Sequence, residues 1–266
     1  MKTNEIECKS VLSDTDLYGL DYSINPYTGC QHACEYCYAV FMKKFTDHEE
    51  LWGSFVDVKV NAPEVLKEEA KEKDRGSVLL SSVTDPYQPT EEEYEITREL
   101  LKILQENGFN VSVLTKSDLV LRDLDVLNKF DHGKLSVGLT VNFLDEKDRE
   151  IWEPKAPSVN ERLEALKKLN SEGIPTYLHA GPWLEGITNL KEILEAAEEY
   201  IYELQAENLN RKRNKTIKKI IDENYPELSS KYRKILKDSS GHNKRLSKKV
   251  DRLRKKTRTP VKVYID

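Results

Sequence analysis

The stretch SVLLSSVTDPYQPTEEEYEITRELLKILQENGFNVSVLT (residues 77–115) decides the fold of this chain. Its opening, SVLLSSV at 77–83, is a short apolar run of the kind a buried strand shows. The turn-rich TDPYQPT follows, after which Ile96, Leu100, Ile103 and Leu104 recur at helical spacing. That pattern predicts a helix over 91–107 closed by Gly108, with Thr90 as N-cap and Glu93 completing a capping box. NVSVLT at 110–115 reads as the next strand. A strand, a helix and a second strand form a crossover unit, and parallel crossovers are right-handed.

The same alternation runs outward from about residue 20 to 205. A helix is expected over 121–130, a strand in KLSVGLTV (134–141) and a helix over 159–172 that stops at Gly173. TYLHA (176–180) reads as a strand, 190–199 as a helix and 200–205 as a weaker last strand. Repeated units of this length build a parallel sheet, either open and doubly wound or closed into a barrel. Barrels carry their chemistry on the loops after the strands, and every polar cluster described below follows a predicted strand. Residues 211–256 lack a strand pattern and read as basic helices broken at Pro226 and Gly241. The chain thus divides into an N-terminal segment (1–19), an α/β body (20–210) and a basic helical C-terminal module (211–266).

With 38% hydrophobic and 33% charged residues, the chain has the composition of a well-solvated protein. No apolar run approaches the roughly 18 residues that cross a bilayer. The start MKTNEIECKS has no basic-then-apolar leader, so a cytoplasmic protein is expected. Thiols are kept reduced there, so four cysteines do not make a disulfide framework. Three of the four fall within eight residues, which points to metal or redox chemistry. The net charge of −5 is unevenly spread: residues 205–262 hold 20 lysines and arginines against 6 acidic residues, leaving −19 on the rest. Such a +14 segment is either a set of solvated helix faces or a surface for a polyanion, and we read it as nucleic-acid binding.

NPYTGCQHACEYCYA (25–39) carries the chemistry. Its Cys-x3-Cys-x2-Cys spacing sets the thiols of Cys30, Cys34 and Cys37 on one tight loop. Three ligands suit a [4Fe–4S] cubane with one iron left open, whereas four would close it. An open iron can chelate the amino and carboxylate groups of S-adenosylmethionine. One electron from an external donor then splits the sulfonium bond and releases a 5′-deoxyadenosyl radical. The alternative is a zinc site completed by His32 or Cys8. Zinc loops usually come as two separated pairs, and no second pair exists here.

The cysteine motif followed by an aromatic resembles the signature of the radical S-adenosylmethionine (radical SAM) superfamily. With SSVTDPYQPTE, LTKSDLVLRD, WEPKAPSVNERLEAL and EGIPTYLHAGPWLEGITN, the chain is similar to its spore photoproduct lyase-like branch over residues 20–210. The resemblance implies a partial (β/α)6 TIM-type barrel open on one side. It also implies that Ser82, Thr84 and Asp85 meet the amino group of S-adenosylmethionine and that Lys116 pairs with its carboxylate. Relatives carry a serine where Gly138 falls, leaving the contact to Thr140, Asn142 or backbone. Glu153 and Arg162 are expected to pair near the ribose or as a surface salt bridge, and Pro182, Trp183 and Leu184 to edge the adenine.

His179 reads as a core histidine, or one that supports a site residue from behind, rather than as a catalyst. Tyr38 matches the aromatic that packs on the cluster. In photoproduct lyases a tyrosine by the cluster and a separate cysteine return a hydrogen atom, which draws attention to Tyr36, Tyr38 and the spare thiol Cys8. No cysteine follows the cluster loop, so repair of the true spore lesion is doubtful. The expected activity is radical chemistry on DNA or RNA. The rivals are a protein or small-molecule substrate, and a non-catalytic zinc-stabilised nucleic-acid-binding module.

Overall fold

The computed structural model describes residues 1–265. The strands are β1 (Lys2–Ile6), β2 (Ser13–Asp14), β3 (Tyr22–Ile24), β4 (Tyr27–Thr28), β5 (Phe55–Lys59), β6 (Ser77–Leu80), β7 (Asn110–Thr115), β8 (Leu135–Thr140), β9 (Thr176–Ala180), β10 (Glu203–Glu207) and β11 (Val261–Tyr264). The helices are α1 (Ala62–Glu72), α2 (Glu91–Tyr94), α3 (Ile96–Glu106), α4 (Leu124–Leu127), α5 (Glu146–Trp152), α6 (Val159–Ser171), α7 (Leu190–Ala197), α8 (Asn214–Asn224), α9 (Ser229–Lys237) and α10 (Ser240–Arg254). The main sheet has the order β11-β10-β9-β8-β7-β6-β3-β2, and β1, β5 and β4 form a small second sheet.

Six parallel strands, β3 and β6 to β10, follow one another along the chain and pair with their neighbours. This is the partial barrel that the family resemblance implies. The apolar runs are buried because one side meets the barrel interior and the other meets the helices. All five residues of β9 are buried. α3 turns Leu100, Leu101 and Leu104 inward, and α6 does the same with Ala165, Leu166 and Leu169. Tyr18, in the turn between β2 and β3, lies edge-on to Tyr264 of β11 at 4.3 Å.

Several local expectations are corrected. The helix over 91–107 is two helices, because Glu95 adopts a left-handed φ of 50° between α2 and α3. The Thr90 side chain makes no capping bond. Instead the buried Glu91 carboxylate accepts from the Thr97 and Arg98 amides at the start of α3. A capping box does form at Ser158 and Glu161, at the head of α6. The helix over 121–130 shrinks to α4 behind a 3-10 segment. Gly241 lies in the first turn of α10 and does not break it.

Residues 211–266 are also not wholly helical, since β11 adds to the sheet parallel to β10. α8 and α9 turn Ile217, Ile221, Tyr232 and Ile235 into a core that includes Cys34, Tyr36 and Trp152. The basic segment is therefore packed against the cysteine loop. Among the described residues, no helix is long and apolar enough to cross a membrane.

Candidate active site

The cysteine loop leaves β4 and is fastened to the loop after β6. The Gln31 amide donates to Gln88 Oε1 at 2.8 Å, and the Thr90 amide donates to Gln31 Oε1 at 2.6 Å. The Thr84 hydroxyl donates to the Gly29 carbonyl at 2.6 Å. Gly29 has φ of +95°, and a Cβ there would run into the Phe55 carbonyl, so only glycine fits this turn. Asn25 adds a clamp, its Oδ1 accepting from the Ser82 and Val83 amides.

These contacts place Cys30, Cys34 and Cys37 on the wall of an open cavity of about 140 Å³. Ser82, Thr84, Asp85, Lys116, Thr140 and Pro182 line it too, so residues from four strand ends converge on the thiols. Burial pushes all three thiols up, Cys34 to about 12. Asp85 adds to the rise at Cys30, while Lys116 opposes it at Cys34 and Cys37. Burial alone would push the Lys116 ammonium down. The neighbouring Cys34 and Glu153 reverse this and hold it above its ordinary value.

Asp85 is a hub rather than a free acceptor. Its Oδ1 accepts from the Thr115 hydroxyl at 2.6 Å and the Tyr87 amide at 2.9 Å, and its Oδ2 from the Lys116 amide at 2.9 Å. Burial would raise its carboxyl, but His32, 3.2 Å away, and these donors hold it at about 2. The Ser82 and Thr84 hydroxyls are likewise engaged, with Asn25 and with Gly29. Tyr38 lines the cavity, and its hydroxyl donates to the Ser82 carbonyl.

Behind the loop lies a second, fully buried polar group. Glu153 and Arg162 pair at 2.5 Å, with side chains 0% and 1% exposed. The Tyr36 hydroxyl donates to Glu153, and the Asn142 amide reaches Glu153 Oε1 at 3.0 Å and the Gly181 carbonyl at 3.0 Å. Arg162 also donates to the carbonyls of Thr140 and Pro157. Burial would raise the Glu153 carboxyl, but Arg162 and Lys116 hold it below its ordinary range. The expected pair therefore exists, but neither at the surface nor on the cavity wall. Glu153, Arg162 and Asn142 support Tyr36, which does line the cavity.

The radical SAM superfamily profile matches residues 24–199. This chain belongs to that superfamily. It is a radical SAM lyase or modifying enzyme, and the family implies S-adenosylmethionine and an iron–sulfur cluster as cofactors. An uncharacterized protein of Methanocaldococcus jannaschii is 37% identical over 84% of this chain and 83% of its own length. Spore photoproduct lyase of Bacillus subtilis is 25% identical over 82% of this chain and 64% of its own. A solved spore photoproduct lyase, complexed with dinucleoside spore photoproduct, shares the fold with a TM-score of 0.72. That match covers 99% of this chain and 82% of the other at 16% identity.

Set against the radical SAM fold, some expected residues lie elsewhere. Trp183 and Leu184 are buried away from the cavity. Trp183 stacks on His242 of α10 at 4.8 Å, and Leu184 enters the core shared with α8 and α9. From that loop Gly181 and Pro182 line the cavity. Cys8 does not line it; its backbone pairs with Asn61 and its thiol is pushed up by burial beside Lys59. His32 faces Asp85, so neither proposed fourth zinc ligand joins the thiols. Among the described residues, no three His, Cys, Asp or Glu side chains converge as ligands of one metal ion.

His179 was expected in the core or behind a site residue. It is buried but lines the cavity, with Nε2 3.0 Å from Glu207 Oε2. Glu207, Gln31, Gln88 and Asn25 escaped the sequence reading. The glutamines and asparagine lie inside the quoted motifs, where a count of neutral hydrogen-bonding side chains would have found them.

Proposed function

We propose that Cys30, Cys34 and Cys37 hold a [4Fe–4S] cluster and that S-adenosylmethionine binds beside it to drive radical chemistry on a nucleic acid. The observation that carries this is the convergence of three thiols and a cationic Lys116 on one cavity at the strand ends. A cubane takes each thiolate on a different iron, and three thiols on one cavity wall supply three such ligands. When bound, the cluster supplies the electron that cleaves the sulfonium bond. An external one-electron donor must reduce it.

The residues of the chain do the rest. Lys116 would pair with the methionine carboxylate, because it stays charged although buried. Asp85 fixes the Lys116 backbone and His32, and the Glu153–Arg162 pair fixes Tyr36 between two ligands. Thr140 and Pro182 wall off water from the reacting carbon. Tyr38 packs by the cluster. Trp183, Leu184 and Cys8 have no place in this reading.

The nucleic-acid substrate is favoured by the disposition of the basic segment. Its apolar stripes face inward, while Lys244, Lys248, Lys249, Arg252, Lys255 and Lys256 are exposed without a carboxylate partner among the described residues. On the body, only Glu35, Glu185 and Glu203 take up charges from this segment. The basic helices therefore do not neutralise themselves on the acidic body, as a protein or small-molecule substrate would allow.

Anaerobic reconstitution tests the chemistry. Iron–sulfur absorption and 5′-deoxyadenosine release should both vanish in Cys30→Ser, and bound zinc without iron would overturn the reading. Filter binding of tRNA and DNA across salt tests the substrate. Deleting 211–266 would strip the core, so Lys244, Lys248, Lys249 and Arg252 should be changed together to glutamine. Unchanged affinity and salt slope would remove the nucleic acid.

A further inference from the structure

The cavity mouth carries a lip built from two parts of the chain. Residues 38–45 form a 3-10 segment directly after the last cysteine, and residues 211–213 form a 3-10 turn at the start of the basic segment. The two pack together. Lys212 Nζ sits 4.1 Å from the Phe41 ring centroid and 6.0 Å from that of Tyr38, within reach of cation–π attraction. Tyr38 and Asn210 line the cavity itself, so the lip continues from its wall. Asn210 caps the turn by accepting from the Lys212 amide at 3.0 Å, which fixes where that lysine starts.

At the far end of the segment Phe45 is 74% exposed, beside an exposed Lys44. A single exposed ring needs no explanation. Aromatic rings in sequence with unpaired cations, leading into a cavity, do. Among the described residues, Lys44, Lys212 and Lys215 have no carboxylate partner, and all three are exposed. At about 2 Å rise per residue the run from Tyr38 to Phe45 spans roughly 14 Å. Asp47, Glu49 and Glu50 follow it and bound the track with negative charge.

This combination fits an unpaired nucleic-acid strand. A ring can stack only on a base whose face is free, and every base has such a face, so stacking tolerates any sequence. Lysines between the rings match the phosphates. A base inside a duplex offers no free face and cannot reach an enclosed reacting centre without leaving the stack.

We propose that this lip docks a single-stranded segment, with a base on Phe45 and phosphates on Lys44, Lys215 and the Lys212 that rests on Phe41, so that the next nucleotide passes Tyr38 into the cavity. The inference rests on the nucleic-acid reading above and sharpens it to an unpaired strand.

Fluorescence anisotropy on the reconstituted full chain tests it, with one labelled deoxyoligonucleotide presented alone and as a duplex. The single strand should bind more tightly. Phe45→Ala should weaken it about tenfold and leave the duplex unchanged. Lys212→Gln should lower the slope of log affinity against log salt by about 0.7 for a single strand. Both variants should release 5′-deoxyadenosine as the wild type does when dithionite is the reductant. Equal single-strand binding by wild type and both variants would overturn the lip and leave the nucleic-acid reading standing. Wild-type chain that cleaves S-adenosylmethionine but binds neither strand nor duplex would overturn both. Variants impaired only when a protein donor supplies the electron would make the lip a reductase dock instead, which also overturns the proposal.

Discussion

The two mouths of the barrel are furnished in opposite ways, although the same strands feed both. At the C-terminal ends stand three thiols, Lys116, Asp85 and the His179–Glu207 pair. At the N-terminal ends a second cavity is lined by Ser77, Ser112, Ser136 and Tyr202, with Lys134 its one charged group. The Tyr177 hydroxyl bridges there to the Val113 carbonyl at 3.0 Å and to Ser112 Oγ at 3.1 Å. Neutral hydroxyls satisfy one another and stay put. Buried charges must be paired, and their pairing fixes the loops that carry the thiols. The difference separates a mouth that reacts from one that holds the strands together, as in other barrels.

The strongest test of that separation is Glu153→Gln. It leaves Arg162 buried and unpaired and should cost about 3–5 kcal/mol, read by denaturant unfolding of the cluster-free chain. Iron per folded chain after reconstitution should fall as well, because glutamine has a single acceptor oxygen for which Tyr36 and Arg162 must then compete, which loosens Tyr36 between Cys34 and Cys37. Adding Arg162→Met should recover stability but not iron. A chain that keeps full iron loading without Glu153 would detach the buried pair from the site.

Asp85→Asn should have the next largest effect, and its sign with pH is fixed. The folded carboxyl titrates at about 2 against an ordinary 3.8. Its contribution is therefore complete above about pH 4 and lost as pH falls toward 2, amounting to about 2 kcal/mol at neutral pH. The difference in stability between wild type and Asp85→Asn should hold level from about pH 7 to about pH 4 and shrink as melts are run below that, toward about pH 2. A constant difference would mean that the charge of Asp85 contributes nothing. Midway along β8, between the two mouths, Gly138→Ser should cost about 1–3 kcal/mol, since a Cβ there meets the Tyr177 ring from the neighbouring strand. Iron loading should not change. If it falls, the two mouths are coupled and the comparison fails.

Gly138 also marks how far the sequence could be read. Its departure from the serine of relatives was visible, but the reason sits 39 residues away in Tyr177 and needs the strand register. The crossover units and the cysteine loop were legible because both are local: periodicity of 2 or 3.6, and ligand spacing within eight residues. β3 and β11 were missed because strands of three or four residues carry no periodic signal. The placement of Trp183 was misjudged for a different reason. Its loop is local, but what covers it is α10, some sixty residues on. A greater distance hid the role of Glu153, whose partner Tyr36 lies 117 residues earlier in the chain.

That contact between Trp183 and α10 supplies the smallest test, on the boundary between the reacting mouth and the basic helices. His242 stacks on Trp183, and its Nδ1 lies 3.4 Å from Glu185 Oε2. Burial holds its imidazole below the ordinary value of 6.5, although Glu185 pulls the other way. The unfolded chain therefore binds the proton first. Stability from this site is complete above about pH 6.5 and declines as pH falls toward the lower folded value, with a slope that cannot exceed about 1.4 kcal/mol per pH unit. Hydrogen exchange of α10 measured from about pH 7.5 to about pH 5 should report a progressive loss of protection, after correction for the intrinsic rate. His242→Phe keeps a ring against Trp183 but cannot titrate, so its protection should stay flat over the same range. If wild type is equally flat, proton uptake at His242 does not loosen α10, and the boundary is held by the Leu246, Val250 and Leu253 face of that helix alone.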